Sequence, residues 1–174
     1  TTSVTVTAAP VISVNTATVC SGSPATLSAS GVNSYTWSTS ATTTSVVVSP
    51  TATTVYTVNG MLTGCSTVAT KTTTVTVNAL PSVAITASPA AICTGQSAGL
   101  TAGGSATSYT WSTSQTTSSI SVSPTTTTVY SVNASDANGC QNSAVTTITV
   151  NPLPVISDTS PSVCAGGPVT VMES

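Results

Sequence analysis

Apolar residues along this chain come in short runs, one on and one off, between clusters of Ser, Thr, Gly and Pro. In Ser34-Tyr35-Thr36-Trp37-Ser38-Thr39 both aromatic rings fall on one side of an extended backbone and the hydroxyls on the other. The same six letters return as Ser108-Tyr109-Thr110-Trp111-Ser112-Thr113, and these two copies hold both tryptophans. Other alternating, β-branched segments predict strands over 11–15, 25–30, 44–49, 53–59 and 72–78 around the first copy. A matching set covers 84–88, 98–103, 118–123, 127–134 and 146–151 around the second. No segment carries a helical period, so the expected fold class is all-β, built of tandem sandwiches.

Comparison of the copies shows which face is inward. Val46, Val47 and Val48 align with Ile120, Ser121 and Val122, so the middle position tolerates Ser and faces water while its neighbours face the core. By the same logic Val75 and Val77, matched by Ile148 and Val150, are inward, and Leu27 coincides with Leu100 as Ile12 does with Ile85 and Ile156. Trp37, Trp111, Tyr56 and Tyr130 are the expected large core anchors, the two tyrosines as corner residues whose hydroxyls bond backbone.

The landmarks recur at 73 residues for Cys20 and Cys93, 74 for the tryptophans, 75 for Cys65 and Cys140, and 71 for Cys93 and Cys164. Such small drift is that of short insertions in turns with the strands kept. The expected organisation is the last strand of a preceding repeat over 1–9, complete repeats over 10–80 and 81–153, and the start of a third over 154–174. Asn78-Ala79-Leu80-Pro81 and Asn151-Pro152-Leu153-Pro154 join consecutive units with little slack, and proline stiffens such a joint.

Composition narrows the function. One Lys, three acidic residues, no Arg and no His leave a formal charge of −2. There is no basic patch to neutralise phosphates or to meet an anionic membrane, which argues against nucleic acid and lipid headgroups as partners. Charged residues are 2% of the chain, against about 25% in ordinary soluble proteins, so solubility rests on hydroxyls. No run approaches the roughly 18 apolar residues of a membrane span. Without His, Ser and Thr lack a general base, and catalysis is not expected.

A thin core for about 73 residues per unit calls for a staple. The cysteines fit one: Cys20 and Cys65 are 45 apart, Cys93 and Cys140 are 47 apart, at matching positions. One disulfide per repeat is therefore expected, with the partner of Cys164 beyond Ser174. Persistent disulfides imply an oxidising, extracytoplasmic setting.

With Val19-Cys20-Ser21-Gly22 and Ile92-Cys93-Thr94-Gly95, Ser49-Pro50-Thr51 and Ser123-Pro124-Thr125, Gly64-Cys65 and Gly139-Cys140 in place, the chain resembles a known group. The segments 54–59, 128–133, 75–78 and 148–151 complete the likeness, which is to the immunoglobulin-like, PKD-like repeats of very large secreted surface proteins of Bacteroidota. The resemblance implies immunoglobulin-like sandwiches, export, often by the type IX system, and roles in stalks, adhesins and gliding filaments. The chain departs from the pattern where Thr39-Ser40-Ala41 stands in place of an Asp-Gly turn.

Other chemistry is thin. Asp136 and Asn138 form the one oxygen cluster that suggests calcium, and a polar turn leading into Cys140 accounts for it. Lys71 lacks a carboxylate to promote an isopeptide bond, and Asn133-Ala134-Ser135 reads as a glycosylation sequon. The Thr-rich faces fit ordinary solvent-facing strands. No cofactor or metal is expected. The function expected is a non-catalytic extracellular structural repeat of a stalk, fibre or filament, with neighbouring repeats and like chains as partners. An adhesive module binding glycans or another surface, and an accessory region of a secreted enzyme, are the alternatives.

Overall fold

A computed structural model describes residues 8–155. The expected third repeat from 156 onward, with Ile156 and Cys164, and residues 1–7 of the expected leading strand lie outside the described residues. Among the described residues every element is a strand, and these strands form two sandwiches with separate cores.

In the first sandwich β1 (Ser13–Val14), β3 (Ala25–Ser30) and β5 (Ser45–Val48) make one sheet in the order β1-β3-β5. Against it packs a sheet in the order β2-β7-β6-β4, from β2 (Ala17–Cys20), β4 (Ser34–Trp37), β6 (Thr54–Met61) and β7 (Ala69–Asn78). All neighbours are antiparallel except β2 and β7, which run parallel with Cys20 opposite Asn78. The second sandwich repeats this plan: β12-β10-β8 faces β11-β13-β14-β9. Its strands are β8 (Val83–Ser88), β9 (Ala91–Cys93), β10 (Ala98–Gly104), β11 (Ser108–Trp111), β12 (Ser119–Val122), β13 (Thr128–Ser135) and β14 (Gln141–Asn151). A three-stranded sheet facing a four-stranded one, with the first strand split so that its second half runs parallel to the last, is immunoglobulin-type topology.

Alternation decides burial. β3 reads buried-exposed through Ala25, Leu27 and Ala29, and β10 does the same through Ala98, Leu100 and Ala102. Val47 is exposed between half-buried Val46 and buried Val48, and Val58, Val75, Val132 and Ile148 are fully enclosed. Burying an aliphatic side chain of this size stabilises by about 1.5–3 kcal/mol.

The repeated hexapeptide is explained bond by bond. Trp37 Nε1 donates to the Thr43 carbonyl at 2.9 Å, and Trp111 Nε1 to that of Thr117 at 2.9 Å. The turns that follow put Ser40 and Ser114 at φ 67° and 66°, each donating its amide to the tryptophan carbonyl at 2.8 Å. Ser38 and Ser112 then accept the amides of Thr57 and Ser131 from the neighbouring strand. Each tryptophan thus fills the core and closes the turn that starts beside it.

Two expectations need correction. The split strands β2 and β9 fall outside the predicted segments, and β7 and β14 start earlier than predicted. The tyrosine hydroxyls that bond backbone are others, on β4 and β11: Tyr35 donates to the Val32 carbonyl at 3.0 Å and Tyr109 to that of Ala106 at 3.3 Å. Tyr130 is buried and Tyr56 packs half-buried against the core, their hydroxyls making no hydrogen bond with described residues.

The strand registers define two poles in each sandwich. In the first, the chain enters beside Val11 and the β6–β7 hairpin that holds Cys65, and leaves at Asn78 beside Cys20. In the second it enters at Pro81 and Ser82 beside the β13–β14 hairpin that holds Cys140, and leaves at Asn151 beside Cys93.

Candidate functional site: the clip across the joint

The disulfide joins Cys20 to Cys140, with Cα atoms 5.5 Å apart and 120 residues between them in sequence. It therefore runs from the exit pole of the first sandwich to the entry pole of the second. Cys65 and Cys93 are free.

This overturns the expected pairs Cys20–Cys65 and Cys93–Cys140, and the registers give the reason. Cys20 lies opposite Asn78 at the end of β7, whereas Cys65 precedes its start. The 10 residues of β7 rise roughly 30 Å at about 3.4 Å each, while a disulfide needs Cα atoms about 4.4–6.8 Å apart. In the second sandwich Cys93 sits opposite Asn151 and Cys140 just before Gln141, so the whole of β14 separates them. A staple inside either sandwich would have to cross from pole to pole.

The hairpin that presents Cys140 is built around Asp136. Its carboxylate Oδ1 accepts the backbone amides of Asn138 and Cys140, both at 2.9 Å. The Asp136 amide donates to the Cys140 carbonyl at 3.0 Å, and Gly139 closes the turn with φ 78°, a left-handed conformation that suits glycine. Asn138, whose side chain reaches the other carboxylate oxygen at 3.5 Å, completes an Asx-type turn. The carboxylate that suggested calcium is thus occupied by backbone donors, and among the described residues no three His, Cys, Asp or Glu side chains gather. The hairpin is tied to the joint itself, since Asn142 Nδ2 donates to the Pro81 carbonyl at 2.9 Å.

On the other side, Cys20 is held by β2. Pairing with β7 fixes its backbone, the Ser21 amide donates to the Asn78 carbonyl at 2.9 Å, and Gly22, at φ 77°, donates to Pro50 at 3.0 Å. Val19-Cys20-Ser21-Gly22 is therefore a strand end plus the tight turn that returns the chain into β3. Ile92-Cys93-Thr94-Gly95 repeats it, Thr94 bonding to the Asn151 carbonyl at 3.1 Å.

The remaining candidates are plainly placed. Lys71 is exposed on β7, and Asn133 is exposed on β13. A shallow recess over Ser108, Thr110, Asn133 and Gln141 has a counterpart over Ser34, Thr36, Asn59 and Met61. Both lie on the outer face of a four-stranded sheet.

No protein-family model and no curated protein matches the chain. Among solved structures, the three N-terminal domains of the outer capsid protein Hoc of bacteriophage RB49 are similar at 17% identity and a TM-score of 0.35. The match covers 82% of this chain and 59% of that one, so the chain spans less than two thirds of its length. The insect immune protein hemolin aligns at 15% identity and a TM-score of 0.40, over 82% of this chain and 47% of that one. The fibronectin(III)-like modules of Clostridium thermocellum CbhA align at 12% and 0.38, over 82% and 95%. The immunoglobulin-type class rests on the strand order within each sandwich.

Proposed function

We propose that this chain is a non-catalytic, extracytoplasmic structural module, one stretch of a stalk or fibre made of such repeats. The observation that carries the reading is the disulfide across the joint. A bond from the exit pole of one sandwich to the entry pole of the next does nothing for a binding loop, but it restrains the hinge between them. Proline at position 81 and the Asn142 bond to its carbonyl act on the same joint. The disulfide also supports an oxidising location outside the cytoplasm. The near-uncharged, hydroxyl-rich surface is suited to close packing of like chains, because repulsion between them is small.

Electron microscopy of the native protein tests this reading. Single-file sandwiches with a regular axial step support it; splayed units with one face covered by a partner would sink it. A second reading, a glycan-binding module, is supported by the shallow recess beside Asn133, lined by Ser108, Thr110, Ser135 and Gln141, whose counterpart beside Asn59 carries Met61 and Val68 instead. Saturable sugar binding abolished by Asn133→Ala, with no ordered fibre, would favour it.

A further inference from the structure

Cys65 and Cys93 are the two cysteines whose counterparts are bonded to each other. Cys65 occupies in the first sandwich the hairpin place that Cys140 holds in the second, 75 residues on, and Cys93 repeats the place of Cys20, 73 residues on. The turn beside each cysteine is already formed, although Asp136 has no acidic counterpart in the hairpin of Cys65 and β7 starts four residues after Cys65. Gly64 takes φ 83° as Gly139 takes 78°, with the Cys65 amide closing its turn on Leu62 at 3.1 Å. Gly95 takes φ 91° as Gly22 takes 77°, and β9 pairs with β14 as β2 does with β7. Exposure follows the missing neighbour: Cys140 is fully buried but Cys65 only half, and Cys20 is half-buried but Cys93 exposed.

We propose that Cys65 and Cys93 are open halves of the same clip: Cys65 takes the first cysteine of the preceding repeat, Cys93 the second cysteine of the following repeat, in the same polypeptide. Every joint is then straddled by one disulfide, and alternate bonds interlock into a ladder along the rod. This rests on the reading of the chain as part of a longer array. Each bond forms by exchange with a small-molecule disulfide such as oxidised glutathione. One cysteine thiolate attacks it and expels a glutathione thiolate; the partner thiolate attacks the mixed disulfide and expels the second. Two protein thiols are oxidised, one glutathione disulfide is reduced to two thiols, and the two protons pass to the departing thiolates.

The ladder has a mechanical consequence. Between Cys65 and Cys93 the chain contains β7, the joint, β8 and β9, whereas Cys20 to Cys65 contains β3 to β6. A covalent path that enters at Cys65, follows the chain to Cys93 and leaves through the next clip never passes through β3 to β6. Tension along the rod is carried by last strands, joints, first strands and disulfides, and the rest of each core is spared.

The test uses the full native polypeptide, unfolded in alkylating reagent without reductant and cut with pepsin, since one Lys and no Arg within these 174 residues leave trypsin little to cut around Cys65 and Cys93. Linked peptides are sequenced by mass spectrometry. The expected result is Gly64-Cys65 linked to a (Val/Ile)-Cys-x-Gly peptide of another repeat, and Ile92-Cys93 linked to a Gly-Cys peptide of another repeat, with a denatured mass that on reduction gains only the two hydrogens of each opened bond. Alkylated Cys65 or Cys93, either of them bonded to Cys20 or Cys140, or a mass that falls on reduction would overturn the proposal. A fibre seen by microscopy alongside such a failure leaves the stalk reading standing without the ladder.

Discussion

Replacing Cys20 by Ser should weaken both sandwiches, although the residue belongs to only one of them. If the second sandwich unfolds while the first stays folded, Cys20 is still anchored opposite Asn78, close to the joint. The disulfide to Cys140 then closes a loop from about Pro81 to Cys140, roughly 60 residues, and chain entropy assigns such a closure about 4 kcal/mol. If the first sandwich unfolds instead, Cys140 stays beside Pro81 through the hairpin and Asn142. The loop from Cys20 to Pro81 is again roughly 60 residues, and the stabilisation again about 4 kcal/mol. That is a large share of the 5–15 kcal/mol or so by which a domain is stable.

Hydrogen exchange by mass spectrometry reads the two sandwiches separately, through the central pairs β6–β7 and β13–β14. Cys20→Ser should lower the protection of both pairs by about 2–4 kcal/mol. Cys140→Ser should do the same, and the double variant no more than either single one, because all three remove one bond. A loss confined to the sandwich carrying the substituted cysteine would refute the reasoning, since that is what a staple inside each repeat would give.

Three further outcomes follow from local geometry. Gly104 has φ 135°, and a Cβ there would strike the Ser82 carbonyl; Gly104→Ala should cost the second sandwich about 1–3 kcal/mol in thermal unfolding. Gly103, where a Cβ meets nothing within 4 Å, serves as the control, with a change of about 0.5 kcal/mol or less. Asp136→Ala removes the acceptor of two backbone amides, so exchange of the Asn138 and Cys140 amides should speed up by about tenfold or more; unchanged exchange would show that the carboxylate does not hold the turn. In single-molecule stretching of residues 1–174, the separation of 120 residues across the disulfide hides about 400 Å of contour at roughly 3.5 Å per residue. That length should become available only with reductant, and full extension of the oxidised chain would contradict the clip.

The strands that alternate were legible in the sequence, because a two-residue period with one face buried fixes both element and orientation. β3, β5 and β6, and their partners β10, β12 and β13, stand close to the segments predicted over 25–30, 44–49 and 53–59 and over 98–103, 118–123 and 127–134, and Leu27 and Val48 face the core as expected. The split strands β2 and β9 were not legible: Ala17–Cys20 and Ala91–Cys93 are three or four residues long, with too few apolar positions to show a period. Missing them hid the pairing of the cysteines. The repeat spacing is equally consistent with a bond inside each unit and with a bond to the next, so the choice depends on which pole each cysteine occupies. Once Val19 and Cys20 are aligned in parallel with Val77 and Asn78, the distance along β7 excludes Cys65. The Tyr35 and Tyr109 hydroxyl bonds were likewise out of reach, since each closes on a loop carbonyl three residues back whose position depends on the loop's path.

Peptide mapping of the purified, oxidised chain of 174 residues, alkylated before any reductant, goes straight to the clip. The expected result is one linked pair holding Cys20 and Cys140, with Cys65 and Cys93 recovered as alkylated thiols. Linked peptides holding Cys20 with Cys65, and Cys93 with Cys140, would mean that each sandwich is stapled within itself, and the account of a rod clipped across its joints would fail.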